Sequence, residues 1–181
     1  GKFMSLHPVN IEQRTEIMVE HFRNLVKKRN NGKAKAMLVT SSRLHAVRYM
    51  LAFQRYIEKK KYTDIRPLVA FSGKVSDPES GFDYTEPSMN TDVVTGKPIS
   101  ESQLPEKFDT PDYQILLVAN KYQTGFDQPL LHTMYVDKGL TDIKAVQTLS
   151  RLNRCHNGKN DVFVLDFANN PADIQAAFEK Y

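Results

Sequence analysis

Cysteine is nearly absent from this sequence, and its scarcity removes two structural solutions at once. Cys155 is the single cysteine among 181 residues, so neither an internal disulfide framework nor a cysteine-rich zinc site organises the fold. Long apolar runs are missing too. None approaches the ~20 residues a helix needs to cross a bilayer, and no basic start leads into an apolar stretch with a small-residue cleavage site, so secretion has no support. Several catalytic signatures are also lacking. No Gly-x-x-x-x-Gly-Lys-Ser/Thr phosphate loop occurs, because Ser72-Gly73-Lys74 and Asn31-Gly32-Lys33 lack the first glycine. Glu58-Lys59-Lys60 has the spacing of a nuclease Glu-x-Lys pair, but no aspartate precedes Asp64. Cys155-His156 has no second metal-ligand pair at a useful spacing. His7, His21, His45, His132 and His156 are scattered, and no Ser-His-Asp pattern stands out. The expectation is a reduced, intracellular, soluble protein.

What is present is unevenly distributed. Residues 1–64 carry a net charge of +9, residues 65–131 a net of −5, and residues 132–181 balance, giving +4 overall. A basic N-terminal third fits either a polyanion partner, whose condensed counterions Lys and Arg release, or a solvated helix face. Charge alone leaves both open. A mass of 20.7 kDa fits one compact domain.

Apolar runs alternate between strand-like and helix-like patterns. Residues 11–29 form a helical stripe of Met18, Phe22 and Leu25, with Lys27, Lys28 and Arg29 complementing the dipole at its end. Residues 36–40 form a strand, and Ser41 or Ser42 is placed to cap a helix over 43–60. A second strand covers 67–71. Residues 73–112 break this rhythm with five of the nine prolines, a length usually functional or mobile, punctuated by a short helix near 101–108. Strands follow at 115–119, 133–136 and 162–165, with helices at 142–154 and 172–180. Short apolar strands alternating with amphipathic helices indicate an α/β three-layer sandwich around a parallel sheet. Ligands of such sheets sit at the carboxyl ends of the strands. Thr40–Arg43, Asn120–Asp127 and the 137–142 turn should gather there.

Three segments are candidates for chemistry. On the 142–154 helix, Ala145, Leu149 and Leu152 share a buried face, while Gln147, Arg151 and Arg154 share another. Two guanidiniums on one rigid element suit a clamp on phosphate oxygens, or they simply face solvent. In Gln123-Thr124-Gly125-Phe126-Asp127-Gln128-Pro129, Gly125 permits close backbone approach and Asp127 can accept from a ribose hydroxyl pair. An ordinary turn explains the same residues. Val39-Thr40-Ser41-Ser42-Arg43 runs from a strand into a helix start, which is an anion site or a plain N-cap.

In this order the segments resemble motifs IV, V and VI of the second RecA-like domain of superfamily-two helicases. Gln147-Thr148-Leu149-Ser150-Arg151-Leu152-Asn153-Arg154 is similar to the family's Gln-x-x-Gly-Arg-x-x-Arg, with Ser150 in place of glycine. A narrower resemblance, from about His7 onward, is to the restriction (motor) subunit of type I restriction-modification enzymes. It is carried by residues 36–48, 118–134 and 145–154, by Val164-Leu165-Asp166-Phe167, and by Tyr84-Thr85-Glu86.

The resemblance implies a RecA-like helicase domain 2 over 36–181, with residues 1–35 leading in through a helix and a polar insert at 73–112. It implies Arg154 as an arginine finger on the γ-phosphate, Arg151 beside it, and Gln147 orienting the finger region or the attacking water. Such a finger is worth ~10³-fold or more in rate. Asp127 would contact the ATP ribose and Gly125 allow the approach. Ser41, Ser42 and Arg43 would touch the backbone of double-stranded DNA, with Lys121, Gln123 and Thr124 on the same track. ATP and Mg²⁺ would be the cofactors, the metal held mainly by a first RecA-like domain. A nuclease domain, also outside these residues, and methyltransferase and specificity subunits would be partners. The setting would be the cytoplasm of a bacterium or archaeon, and the fragment alone would not hydrolyse ATP. The alternatives are domain 2 of another superfamily-two translocase, or a non-enzymatic interaction module.

Overall fold

The computed structural model describes residues 2–5, 10–122, 126–141, 143–154 and 162–181, with the backbone alone for 2–5, 153 and 154. The chain begins with strand β1 (Lys2–Ser5), followed by helix α1 (Ile11–His21), which runs on through a π-helical turn at Phe22–Val26. Asn10 caps α1 through a reciprocal box with Gln13, satisfying two otherwise orphaned backbone donors. A kinked turn, α2 (Arg29–Gly32), leads to β2 (Lys35–Thr40), α3 (Arg43–Lys60) and β3 (Pro67–Ala70). Of the two candidate serines, Ser42 caps α3, accepting from the His45 N–H. The 73–112 insert contains the hairpin β4 (Lys74–Ser76) and β5 (Asp83–Thr85), then α4 (Glu86–Met89) and α5 (Leu104–Phe108). Beyond it come β6 (Ile115–Val118), β7 (Leu131–Asp137), α6 (Ile143–Leu149), β8 (Phe163–Asp166) and α7 (Pro171–Lys180).

Six strands form one parallel sheet in the order β1-β8-β7-β2-β6-β3. Side chains of a strand alternate between faces, and here both faces are apolar. Ala36, Leu38, Ile115, Leu117, Tyr135 and Leu165 meet Met18, Phe22, Tyr49 and Phe53 of the α1–α3 layer. Met37, Val39, Leu116, Val118, Met134 and Val136 face the opposite layer, where Ala145, Leu149, Leu152, Ile174 and Ala177 pack. That is the three-layer α/β arrangement read from the sequence, with the additional strand β1 at one edge.

The insert is ordered rather than loose, and it closes the other edge. In β3, the groups of residues 66, 68 and 70 face β6, so 67, 69 and 71 point outward. Pro67 has no N–H to leave unpaired. The Asn90 amide accepts from Val69 N–H (2.9 Å) and donates to Val69 C=O (2.7 Å), and Glu86 accepts from Phe71 N–H (3.1 Å). Two insert side chains thereby stand in for a seventh strand, which is how an edge avoids pairing with another chain. Ile99, Leu104, Phe108 and Tyr113 anchor the insert in the second core. Among the described residues no helix is long and apolar enough to cross a membrane.

Candidate functional site

The carboxyl end of β2 is built around hydroxyls. Thr40 is buried and donates to Val118 C=O (2.9 Å), tying the ends of β2 and β6 together. Ser41 and Ser42 place their hydroxyl oxygens 2.9 and 2.8 Å from His45 Nδ1. The Arg43 guanidinium is exposed and donates to Ser72 C=O (2.8 Å). These residues line the N-terminus of an 18-residue helix, where backbone N–H groups and the dipole favour an anion. The His45 ring, which the sequence pattern did not single out, joins the two serines into one polar group.

The segment after β6 turns toward the insert. Asn120 and Tyr122 both take left-handed backbone conformations (φ 53° and 59°), a costly state for a bulky tyrosine that is concentrated at functional positions. The Tyr122 ring is held against Phe126 at 5.1 Å. Lys121 turns its ammonium into an ion pair with Glu86 (2.6 Å) and Glu101 (2.9 Å). Burial would lower that ammonium, but its hydrogen bonds to the two carboxylates outweigh this and raise it. Its charge is therefore committed to the insert. Gln128 donates to Asp109 (2.9 Å), and Leu130 C=O accepts from Lys35 N–H at the start of β2. Asp127 is exposed. Within Asn120–Asp127, Asn120 lies at the carboxyl edge, 3.5 Å from Lys138 Nζ. Gln123, Thr124 and Gly125 lie outside the described residues.

The third segment follows β7. Asp137 ends the strand in an ion pair with Arg14 of α1 (2.7 Å) and accepts from the Tyr49 hydroxyl. Helix α6 stops at Leu149, and Ser150–Arg154 is a 3-10 turn instead of the continuous helix expected over 142–154. The Ser150 hydroxyl donates back to Val146 C=O, a local bond that competes with the helical ladder and bends helices. A 3-10 turn has three residues per turn rather than 3.6, so Arg151 is rotated by roughly 20–40° from its α-helical position relative to Gln147. Gln147 is exposed, while Arg151 is buried at 6% exposure. Ala145, Leu149 and Leu152 are buried as the periodicity indicates. The Arg154 side chain, like Cys155 and His156, lies outside the described residues.

Comparison with known proteins gives these segments a context. Residues 88–169 match the family model of type I restriction enzyme subunit R domain 3. The resemblance is to the R subunit of type I restriction enzymes. A protein described as the endonuclease subunit of the type I restriction enzyme MjaIXP of Methanocaldococcus jannaschii is 29% identical over 164 residues, covering 91% of this chain and 14% of its own length. The chain spans 14–16% of the first curated R-subunit relatives it matches. Among solved structures, domain 2 of the DEAD-box helicase Mss116p superposes with a TM-score of 0.56 at 16% identity, over 98% of this chain and 58% of that one. A fragment described as an HsdR subunit of a type I restriction enzyme from Vibrio vulnificus gives 0.52 at 15% identity, over 91% and 31%. The fold is therefore that of a RecA-like helicase domain 2. The stretch matching the R-subunit model contains Lys121, Asp127, Gln147, Arg151 and Arg154.

Proposed function

We propose that this chain is the second motor domain of a type I restriction R subunit, coupling ATP hydrolysis to translocation along double-stranded DNA before cleavage by a nuclease domain outside these residues. The observation that carries the reading is Arg151. It is buried on a 3-10 turn, on the element that follows the carboxyl end of β7, inside the stretch that matches the R-subunit model. A guanidinium kept on a rigid, largely dehydrated support suits the charge that develops on transferred phosphoryl oxygens.

ATP, when bound, supplies the phosphoanhydride whose hydrolysis drives the cycle. The residues here fit half of its site. Arg151 and Arg154 offer cations, and Asp127 offers an exposed carboxylate acceptor. Mg²⁺ and most nucleotide contacts are assigned, on the resemblance, to the first RecA-like domain of the same protein. Ser41, Ser42 and Arg43 present hydroxyls, a helix N-terminus and a guanidinium to the backbone of duplex DNA, contacts that carry no sequence information. Recognition of a particular site falls to specificity and methyltransferase subunits. Lys121 joins the DNA track only by exchanging its carboxylate partners for phosphate.

The reading is tested by DNA-stimulated ATPase of the intact subunit in its complex, wild type against Arg154→Ala. A loss of about 10³-fold with nucleotide binding retained is expected. Unchanged turnover would remove the finger assignment and leave the domain as a scaffold.

A further inference from the structure

One motif remains without a role in this account: Val164-Leu165-Asp166-Phe167 at the end of β8. Asp166 is fully buried. Its Oδ1 accepts from the backbone N–H groups of Ala168 (2.8 Å) and Asn169 (2.9 Å). Burial raises the carboxyl above its ordinary value, and those hydrogen bonds offset only part of the rise. The Asn169 amide lies 2.9 and 3.0 Å from the two carboxylate oxygens. Asn169 is thus fixed at its base and spends its remaining bonds on a different loop. Nδ2 donates to Lys138 C=O (2.8 Å), and Oδ1 accepts from Leu140 N–H (2.7 Å). Helix capping does not explain this residue, because Asn170 caps α7 by accepting from Ala172 N–H (2.8 Å).

The gripped loop is the root of α6. Asp137 is held from the α1–α3 side by Arg14 and Tyr49, and residues 138 and 140 are held by Asn169, so both flanks of the strand exit are pinned. Arg151 lies eight residues beyond the start of α6, roughly 12 Å along a helix at 1.5 Å per residue. A tilt of about 5° at the root therefore moves the arginine by about 1 Å, a misplacement that can cost ~10²-fold in rate.

We propose that Asn169, anchored on Asp166, is a positioning residue that sets the orientation of the arginine-bearing segment. The inference rests on the assignment of Arg151 to the nucleotide site. It is tested in the full-length subunit, in its complex on DNA, with Asn169→Ala, Asn169→Asp and the exchange pair Asn169→Asp with Asp166→Asn. Three quantities are read: kcat and KM for ATP, hydrogen exchange of backbone amides, and Tm. Asn169→Ala is expected to lower kcat by about tenfold or more with KM within about twofold, and to raise exchange at Leu140 and across 143–152 but not in β2, β6 or α3. Asn169→Asp, which sets two carboxylates together, is expected to be worse. The exchange pair restores a donor–acceptor contact between 166 and 169 and is expected to recover part of kcat. Wild-type kcat and exchange in Asn169→Ala would overturn the proposal. So would a loss accompanied by raised exchange throughout the sheet and no recovery in the pair, which is general destabilisation. Arg151→Ala and Arg154→Ala run beside these variants separate the two failures. If both are silent the nucleotide reading falls and takes this inference with it; if they are inactive while Asn169→Ala is normal, only the positioning role falls.

Discussion

His21 shows how burial dictates a charge state. Its ring contacts Phe163 and Tyr135 edge-on, at 5.1 and 5.6 Å, with Nδ1 2.8 Å from the Tyr135 hydroxyl. Burial, helped by nearby His132, lowers its pKa from 6.5 to about 4. Between those values the unfolded chain binds a proton that the folded chain does not, so stability rises with pH across the window and is lost as pH falls through it. Thermal unfolding of the chain from pH 7 to pH 4 is expected to reveal a loss on the order of 2 kcal/mol attributable to this ring, and His21→Phe should flatten that part of the profile. An unchanged slope in His21→Phe would assign the acid sensitivity elsewhere. The two serines before α3 separate in a similar experiment. Ser42 caps the helix, so Ser42→Ala should cost about 1 kcal/mol in chemical denaturation. Ser41 does not cap, and Ser41→Ala should leave stability within about 0.5 kcal/mol. A DNA-binding loss in Ser41→Ala is then a contact effect, whereas Ser42→Ala mixes contact with folding.

At the scale of elements, the insert is where sequence reasoning and structure part most clearly. Prolines and acidic residues over 73–112 read as a functional or mobile loop, but its polar groups complete a sheet edge. The reason is not visible in local periodicity. Asn90 bonds to Val69 and Glu86 to Phe71 across 21 and 15 residues of sequence, and no pattern of neighbours announces such a pairing. Strand β1 is similar: four residues whose assignment depends on parallel pairing with β8 at the far end of the chain. Elements with long apolar periods, such as α3 and the strands at 36–40 and 115–118, are legible because their own side chains carry the signal. The 142–154 helix lies between these cases. Its stripe of Ala145, Leu149 and Leu152 is buried as the periodicity indicates, but Ser150–Arg154 winds as a 3-10 turn, with Gln147 exposed and Arg151 buried. The edge account makes a direct prediction. Asn90→Ala leaves both Val69 groups unpaired in a buried place, at about 1–3 kcal/mol per group. Urea denaturation should show a loss of that order, together with raised amide exchange at Val69; wild-type protection there would mean that the insert does not close the edge.

The whole molecule is a parallel sheet with polar residues concentrated at its carboxyl edge: Thr40 and Ser42, Asp137, and Asp166 with Asn169. The architecture is legible in the sequence, and so are the strand ends that carry Thr40–Arg43 and the 137–142 turn, because strand–helix alternation fixes where strand ends fall. The bonds that join those ends are not, since each links strands distant in the chain. As the chain spans only 14–16% of the length of the first curated R-subunit relatives it matches, its proposed work belongs to the longer protein. The most direct measurement is therefore translocation by the complete restriction complex on duplex DNA, read by displacement of a downstream triplex strand, with Arg151→Ala and Arg154→Ala combined. The account predicts that displacement is abolished while specific-site binding and the fold are retained. Displacement at the wild-type rate would contradict the motor assignment for this domain.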